Sequence, residues 1–193
     1  MYTWGYIKEN TLSKLNLTEE EANQQGFLSN FPYYANEAMT QICSAIKPKQ
    51  AMFIIDIRET TKGTFIKMPD DFIAFSDDAV IFVGANENYI EDAGDEYLLY
   101  VGYNEVLCKE IGKYYIPYKA RWFMFTKDLH NATNIDAPAD VLDALPSYIV
   151  SQCWKIDDEP KAAIYRNEYE MFLARIDDTS FKAQRTFHIG GGW

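Results

Sequence analysis

The spacing of apolar residues changes twice along this chain of 193 residues, and this change constrains the fold more than any single motif does. In the segments 1–50 and 136–180, apolar side chains recur at intervals of three and four residues, which predicts amphipathic helices. Between these segments, short apolar runs are separated by turn-forming residues, which predicts strands joined by tight turns. The sequence therefore indicates a helical part, a β part and a second helical part.

Start and stop signals delimit the first helices. Thr18 with Glu21 fits a capping box and begins a short acidic helical turn, which Gly26 ends. After FLSNFP, the stretch YYANEAMTQICSAI has helical spacing, with Pro32 as its start signal and Pro48 as its stop.

The second helical part contains the most strongly amphipathic stretch. Asp140 is predicted to cap VLDAL, with Pro146 within or at the end of that turn, before the apolar stretch PSYIVSQCWKIDD. Asp157 or Asp158 is predicted to cap the last helix, KAAIYRNEYEMFLARI. The apolar face of that helix consists of Ala162, Tyr165, Tyr169, Phe172 and Ile176.

The middle part is predicted to contain short antiparallel strands. AMFIIDIRE is typical of a strand, because Ile55 and Ile57 alternate with Asp56 and Arg58. The stretch EVLCKEIG is compatible with either a strand or a short turn. Several short strands with regular turn signals indicate a sandwich or a small barrel. The further candidate strands are TFIKM, FIAFS, AVIFVG, EYLLYVG, KYYIPY and RWFMFT.

Neither helical part can bury its apolar stripe alone, so the two parts are expected to pack on each other. We therefore predict an α+β fold. In it, a small α-helical bundle formed by the N- and C-terminal helices carries an inserted antiparallel β-sandwich or barrel. The predicted divisions are 1–50 and 136–180 for the two parts of the bundle, 51–135 for the β insert, and 181–193 for an extended tail.

The formal charge of −11 is concentrated in the body of the chain, because the segment from Phe181 onward contains Lys182, Arg185 and no acid. An acidic body argues against a nucleic-acid-binding groove, since phosphate contacts require clustered lysine and arginine. An acidic surface suits the wall of a channel through which DNA passes, because it repels the DNA. Ordinary solubility charge explains any single acid better than this role does.

The sequence contains no motif for catalysis or for a cofactor. Nucleotide-binding glycine loops are absent, and His130 and His188 are the two histidines. Adjacent aspartates can serve acid–base chemistry or bind Ca²⁺, but here each pair falls at a predicted turn or helix end, where aspartate forms local hydrogen bonds. We expect no catalytic residue, metal site or cofactor, and so no enzyme. The pairs are Asp70–Asp71, Asp77–Asp78, Asp157–Asp158 and Asp177–Asp178.

The cysteines and the absence of long apolar stretches bear on the compartment. Cys43, Cys108 and Cys153 are far apart, which predicts reduced thiols in a cytosolic setting rather than a disulfide framework or a zinc site. No stretch approaches the roughly 20 apolar residues that a membrane span needs. The start, MYTWGYIKENTL, lacks the features of a signal peptide.

An aromatic group in the β part suggests a binding surface. Tyr114, Tyr115, Tyr118 and Trp122 can form a platform for a sugar or a protein partner. On a strand, however, Tyr114 and Tyr118 share a face with Ile116, while Tyr115 lies on the opposite face. One of these two faces must belong to the core.

Three stretches, taken in order, carry a resemblance to a known family. They are EEEANQQGFLSNFPYYANEAMTQICSAIKP, then MPDDFIAFSD at the entry to the β insert, then LPSYIVSQCWKIDD with EPKAAIYRNEYEMFLARI. In this plan the chain resembles head–tail connector (adaptor) proteins of tailed bacteriophages, including the tail tubular protein A type of short-tailed phages. The resemblance covers most of the chain as a pattern of parts.

The resemblance implies a structural virion protein of the phage neck, assembled in the host cytoplasm and without enzymatic activity. Such proteins form a ring beneath the portal, usually of twelve copies, which extends the DNA channel used in DNA ejection and docks the tail. The implied partners are further copies of the chain, the portal protein, tail or nozzle proteins, and DNA that passes without sequence-specific binding.

The resemblance also implies a portal-contacting segment at 181–193, which ends in TFHIGGGW. We expect Phe187, His188, Ile189 and Trp193 to make this contact. A glycine tether with an aromatic plug gains affinity when the plug enters an apolar pocket, against the entropy of ordering the glycines.

The last helix is expected to pack in the bundle or between subunits of the ring through Tyr165, Tyr169 and Phe172. The alternative function is a β-sandwich module of a tail accessory protein, which binds carbohydrate or a host surface. That function would require an exposed row of aromatic residues on the β insert.

Overall fold

The computed structural model describes residues 2–59, 61–84 and 88–176. Five α-helices, one 3₁₀ turn and eight strands in two antiparallel sheets lie in these residues, which confirms the predicted α+β class. The chain forms two compact units. Among the described residues, the helical unit combines those up to Lys47 with those from Phe123 to Ile176, and the β unit is Pro48–Trp122.

Helices from both ends of the sequence pack together in the helical unit. The fourth helix contacts the first, the third and the fifth, so it lies at the centre of the packing. Its central position explains why its burial extends over most of its length. The helices are α1 (Trp4–Leu15), α2 (Glu19–Gln24), α3 (Phe31–Ala45), α4 (Ala139–Trp154) and α5 (Glu159–Leu173), with the 3₁₀ turn at Leu28–Asn30.

The predicted caps of α2 and α5 form as expected. The Glu21 backbone N–H donates to the Thr18 hydroxyl, and the Thr18 N–H donates to the Glu21 carboxylate at 2.8 Å. The Thr18 N–H and the Thr18 hydroxyl both donate to the Glu21 carboxylate, and they lower the pKa of this carboxyl because its charged form accepts these bonds. Asp158 caps α5 by accepting from the Lys161 N–H at 3.0 Å.

Two helical features differ from the sequence pattern. The helix α1, which that pattern did not delimit, begins after Thr3, whose side chain accepts from the Tyr6 N–H. Of the two positions that the sequence left open for Pro146, the structure has the one within the helix, because α4 continues through this proline. Asp140 is not the cap of α4, since Pro138 holds that position and Asp140 lies in the first turn. There Asp140 pairs with the buried Lys47 at 2.7 Å.

The β unit contains a five-stranded and a three-stranded sheet. In the larger sheet the order is β1-β8-β4-β5, with β3 also paired to β8, and in the smaller sheet the order is β2-β7-β6. All pairings are antiparallel. The strands are β1 (Lys49–Ile57), β2 (Phe65–Lys67), β3 (Phe72–Phe75), β4 (Ile81–Gly84), β5 (Tyr89–Glu91), β6 (Leu98–Val101), β7 (Glu105–Cys108) and β8 (Gly112–Ala120).

Both sheets contribute to a single core. Phe82, Tyr114 and Ile116 come from the larger sheet, and Leu98 and Val106 come from the smaller one. This shared core is that of two packed sheets. The stretch EVLCKEIG, which the sequence left open, contains the strand β7.

The end of the β insert differs from the predicted boundary at 135. RWFMFT is not a strand, because β8 ends at Ala120 and the chain from Phe123 belongs to the helical unit. Hydrogen bonds explain this placement. The Trp4 N–H donates to the Thr133 carbonyl at 3.0 Å, and the Gly5 N–H donates to the Asn131 carbonyl at 2.8 Å. Within the described residues, no helix has the length and hydropathy needed to cross a membrane.

Candidate functional site

The portal-contacting residues predicted from the sequence, Phe187, His188, Ile189 and Trp193, lie outside the described residues. The extended tail 181–193 lies outside them as well. The residues predicted on α5 are described, and they show which face of this helix the helical unit uses.

Tyr169 anchors α5 in the helical unit. Its ring is completely buried and lies 4.9 Å from the ring of Tyr148 on α4, in an edge-to-face arrangement. The Arg166 guanidinium lies over both rings, at 5.4 and 5.3 Å from their centroids. Burial raises the pKa of Tyr148 to about 12 and raises that of Tyr169 as well. Both hydroxyls are therefore protonated at neutral pH.

Tyr165 and Phe172 also face the helical unit. The Tyr165 hydroxyl donates to the Lys14 carbonyl at 2.6 Å, and the Lys14 ammonium pairs with Glu168 at 2.7 Å. Phe172 is half-buried beside α1 and α4. The predicted residues of α5 thus serve the packing of their own chain.

A second apolar row lies on the opposite side of α5. Ile164 is 65% exposed and Met171 is 57% exposed, and both Asn167 and Ala174 are exposed between and beyond them. We call these four residues the α5 seam. Their spacing of three, four and three residues is that of the a and d positions of a helix–helix contact. Glu170, next to Met171 in the sequence, pairs with Arg166 at 2.8 Å.

A crevice opens elsewhere on the helical unit, between α1, α4 and the end of α5. Its volume is about 390 Å³. We call it the α1–α4 crevice. Its apolar lining consists of Tyr6, Ile7, Leu142, Pro146 and Phe172. Its polar lining consists of Asn10, Ser13, Lys14 and Asp143.

A tyrosine pair contacts the lining of this crevice at Asp143 and Tyr6. The Tyr2 hydroxyl donates to Asp143 Oδ1 at 2.6 Å, and the Tyr2 and Tyr6 rings meet edge to face at 5.2 Å. The hydrogen bond to the Asp143 carboxylate is the main cause that raises the pKa of Tyr2 to about 12. The hydroxyl therefore keeps its proton and remains a fixed donor at physiological pH.

The predicted aromatic platform of the β unit is mostly core. Tyr114 is completely buried and Tyr118 nearly so, and both pack with Ile116 against the smaller sheet. Trp122 lies within 5.9 Å of the Lys49 ammonium. The face shared by Tyr114, Ile116 and Tyr118 is thus the core face of β8.

A different aromatic group reaches the surface of the β unit. Tyr103, in the turn between β6 and β7, is 74% exposed, and its hydroxyl donates to the Ile73 carbonyl at 2.9 Å. Its ring lies 6.0 Å from Phe72, while the Phe75 ring lies 4.3 Å from Tyr100, which is also exposed. We call Phe72, Phe75, Tyr100 and Tyr103 the aromatic end cluster.

Asp71 and Asp78, each from one of the adjacent aspartate pairs, have local structural partners. Asp71 accepts from the Tyr118 hydroxyl at 3.0 Å, and Asp78 accepts from Ser76 at 2.8 Å. Burial raises the pKa of Cys108 and of Cys153 to about 12, so neither thiol is ionised at neutral pH. No group of three or more metal-ligating side chains occurs in the part of the chain that the structure describes.

The sequence already contained one signal for the α5 seam. Ile164 and Met171 are seven residues apart and fall outside the stripe of Ala162 and Tyr169. The crevice and the aromatic end cluster had no such signal, because distant segments form them. No protein-family model matches this chain, and no curated protein sequence matches it.

Proposed function

We propose that this chain is a structural head–tail connector of a tailed phage, which forms a ring beneath the portal, extends the DNA channel and docks the tail. The order of parts supports the proposal, since helices from both ends of the sequence pack together and the β unit is inserted between them. The single observation that carries the proposal is the two-faced helix α5.

A monomer needs only one apolar face on a peripheral helix. In α5, Tyr169 faces the chain's own bundle, while Ile164 and Met171 are exposed on the other side. Large apolar side chains repeated at helical spacing on an exposed face are typical of a surface that packs against another protein. Lateral packing of subunits in a ring provides such a partner for every copy.

The charge of the chain is compatible with a channel wall. The formal charge of −11 repels the phosphate backbone, so DNA is expected to pass without being held. Further copies, the portal protein and tail or nozzle proteins are the proposed partners, and the neck of the virion is the proposed location. No catalytic step belongs to this role.

Removal of residues 189–193 tests the proposed portal contact. We expect the truncated chain to remain folded and soluble and to bind portal particles at least about tenfold more weakly, because a docked tryptophan is typical of a binding hot spot. Repetition around a ring multiplies the loss for each copy. Co-sedimentation with portal particles measures the effect, and Gln184→Ala in the same segment is the matched control.

Two outcomes of this experiment contradict the anchor. Portal binding at the level of the full chain would show that Ile189 and Trp193 make no contact that matters. Aggregation of the truncated chain would show that Trp193 packs in the core of its own chain.

A binding module for carbohydrate or a host surface is the second candidate function. The aromatic end cluster favours it, since the Tyr103 ring is exposed and is held in place by the hydrogen bond to Ile73. A fixed aromatic face offers a stacking surface at a low entropy cost. A stable monomer that binds a glycan, and loses this binding in Tyr103→Ala, would favour this candidate over the connector.

A further inference from the structure

We propose that the unpaired edge of β1 binds the segment 181–189 of a neighbouring copy, which adds to the larger sheet as a further strand. This inference rests on the proposed function for its biological role, since a ring places copies of the chain side by side. The contact joins the β unit of one copy to the C-terminal segment of the next.

The strand β1 has a partner on one side only. It pairs with β8 over its whole length, from Lys49 opposite Ala120 to Ile57 opposite Gly112, and no other described strand pairs with it. In an antiparallel pair, every second residue directs its N–H and C=O groups away from the neighbouring strand. Within the described residues, no backbone hydrogen bond outside this pairing begins or ends in Gln50–Ile57. The edge therefore presents a row of donors and acceptors to an extended chain.

This edge lacks the features by which sheet edges usually avoid pairing, which are shortness, a bulge, proline and charge. β1 is nine residues long and pairs with β8 without a shift of register. Its stretch Gln50–Ile55 contains no proline and no charged residue, and Ile54 is 58% exposed. The other edge strands of the described sheets, β2, β3, β5 and β6, are three or four residues long. Among these edges, β1 is the best suited to accept a further strand.

The occupant of such an edge is an extended chain, because a second backbone matches the spacing of its donors and acceptors. The segment 181–189, which lies outside the described residues, has the alternating sequence of a strand, FKAQRTFHI. One alternate set is apolar except for Arg185, and the other set is polar. The first set is Phe181, Ala183, Arg185, Phe187 and Ile189, and the second is Lys182, Gln184, Thr186 and His188.

The segment matches β1 in pattern and in charge. Ile55 and Ile57 lie on the core face of β1, so the mostly apolar set extends that face, while the polar set extends the face of the exposed Asp56. From Phe181 onward the chain has two cations and no acid, whereas the whole chain has a formal charge of −11. Attraction between opposite charges therefore favours docking of the segment on a neighbouring copy.

The contact repeats from copy to copy, because the edge and the segment are two different patches of one chain. Such a heterologous contact closes into a ring or extends into a filament. The added strand leaves the portal contact open in part. His188 belongs to the polar set and Trp193 lies beyond the strand, so both remain able to reach the portal.

Two single variants of the full chain test the two halves of the contact. Ile54→Lys places a cation at the edge of β1, where it repels a basic segment, and the exposure of Ile54 leaves the core intact. Thr186→Pro removes a backbone donor from the segment and fixes its φ. Each variant should raise the dissociation constant of the oligomer at least about tenfold in sedimentation or native mass measurements.

Each variant has a matched control. Tyr89→Lys places the same cation on the short edge strand β5, where Tyr89 is 52% exposed. Thr179→Pro introduces the same proline before the segment begins. Both controls should associate as the unaltered chain does. A mixture of Ile54→Lys and Thr186→Pro should associate more tightly than either variant alone, because the first keeps the segment and the second keeps the edge.

Amide hydrogen exchange locates the contact. In the oligomer of the unaltered chain, the β1 amides that point away from β8 should exchange more slowly than in the monomer at high dilution. Thr186→Pro should abolish this difference. Slow exchange of these amides in the monomer would place the segment on its own chain and overturn the contact between copies.

The inference is also overturned if the unaltered chain is monomeric at all concentrations, or if Tyr89→Lys weakens association as much as Ile54→Lys does. A loss in Ile54→Lys without a loss in Thr186→Pro would indicate that β1 pairs with β1 of a second copy instead. A chain that is monomeric alone but forms rings on portal particles would contradict this contact and retain the connector. Oligomers joined through β1 that ignore portal particles would do the reverse.

Discussion

Replacement of Gly112 by alanine is expected to lower the free energy of unfolding of the β unit by about 3 kcal/mol or more. A Cβ at this position would lie 2.4 Å from the Val83 carbonyl oxygen and 2.7 Å from the Phe82 ring. Gly112 also has φ of 153°, which an L-residue rarely adopts. Because the nearest atom belongs to the backbone of β4, the clash is relieved only if β4 and β8 separate.

Chemical denaturation followed by circular dichroism measures this loss, and amide hydrogen exchange locates it in the β unit. Gly94→Ala is the matched control, since a Cβ there has no atom within 4 Å and its φ is not in the left-handed region. We expect the control to change stability by a few tenths of a kcal/mol at most. Equal losses in the two variants would show that the contact between β4 and β8 does not depend on a glycine.

Replacement of Tyr169 by alanine is expected to cost about 3–5 kcal/mol of stability in the helical unit, in line with other large-to-small changes of buried aromatic residues. The ring is completely buried and packs against Tyr148. Its removal leaves a cavity where α5 meets α4. Thermal and chemical denaturation of the full chain measure the loss.

Two controls separate the ring from its surroundings. Tyr169→Phe should retain most of the stability, because the acceptor of the hydroxyl, Gln41 Oε1, lies at the long distance of 3.5 Å. Met171→Ala, two residues further on the exposed face, should change the stability of the monomer by less than about 0.5 kcal/mol. A loss in Met171→Ala as large as in Tyr169→Ala would mean that the seam is part of the core of the chain.

The spacing of apolar residues predicted most of the helices and strands, because the side chains at these positions are the ones that are buried. Tyr169 and Ala162 are buried where the stripe of three- and four-residue spacing places them, and Ile55 and Ile57 are buried where strand alternation places them. The capping box of Thr18 was readable for the same reason, since its bonds join residues close in sequence.

The errors arose where a distant segment decides the structure. RWFMFT has the composition of a strand, yet the side-chain amide of Asn36 bonds both the N–H and the carbonyl of Phe125, at 2.8 and 2.7 Å. The Asn36 side chain thus supplies the hydrogen bonds that the backbone of Phe125 would otherwise form with a neighbouring strand. Pro146, whose position the sequence left open, lies within α4, and the packing of α4 against three other helices stabilises the continuous helix.

The candidate surfaces differ in the same way. The α5 seam lies on a single helix. The seven-residue spacing of Ile164 and Met171 in the sequence is therefore enough to predict it. The crevice combines α1, α4 and Phe172, and the aromatic end cluster combines β3 with β6 and the turn that follows β6. Only the folded chain brings such residues together, because their spacing in the sequence has no relation to their distance.

Electron microscopy of the full chain mixed with the portal protein of the proposed phage tests the connector proposal most directly. The proposal predicts a closed ring, coaxial with the portal, whose subunits contact one another through their helical units. Copies that remain monomeric and leave the portal unoccupied, at concentrations where the chain is folded, would contradict it.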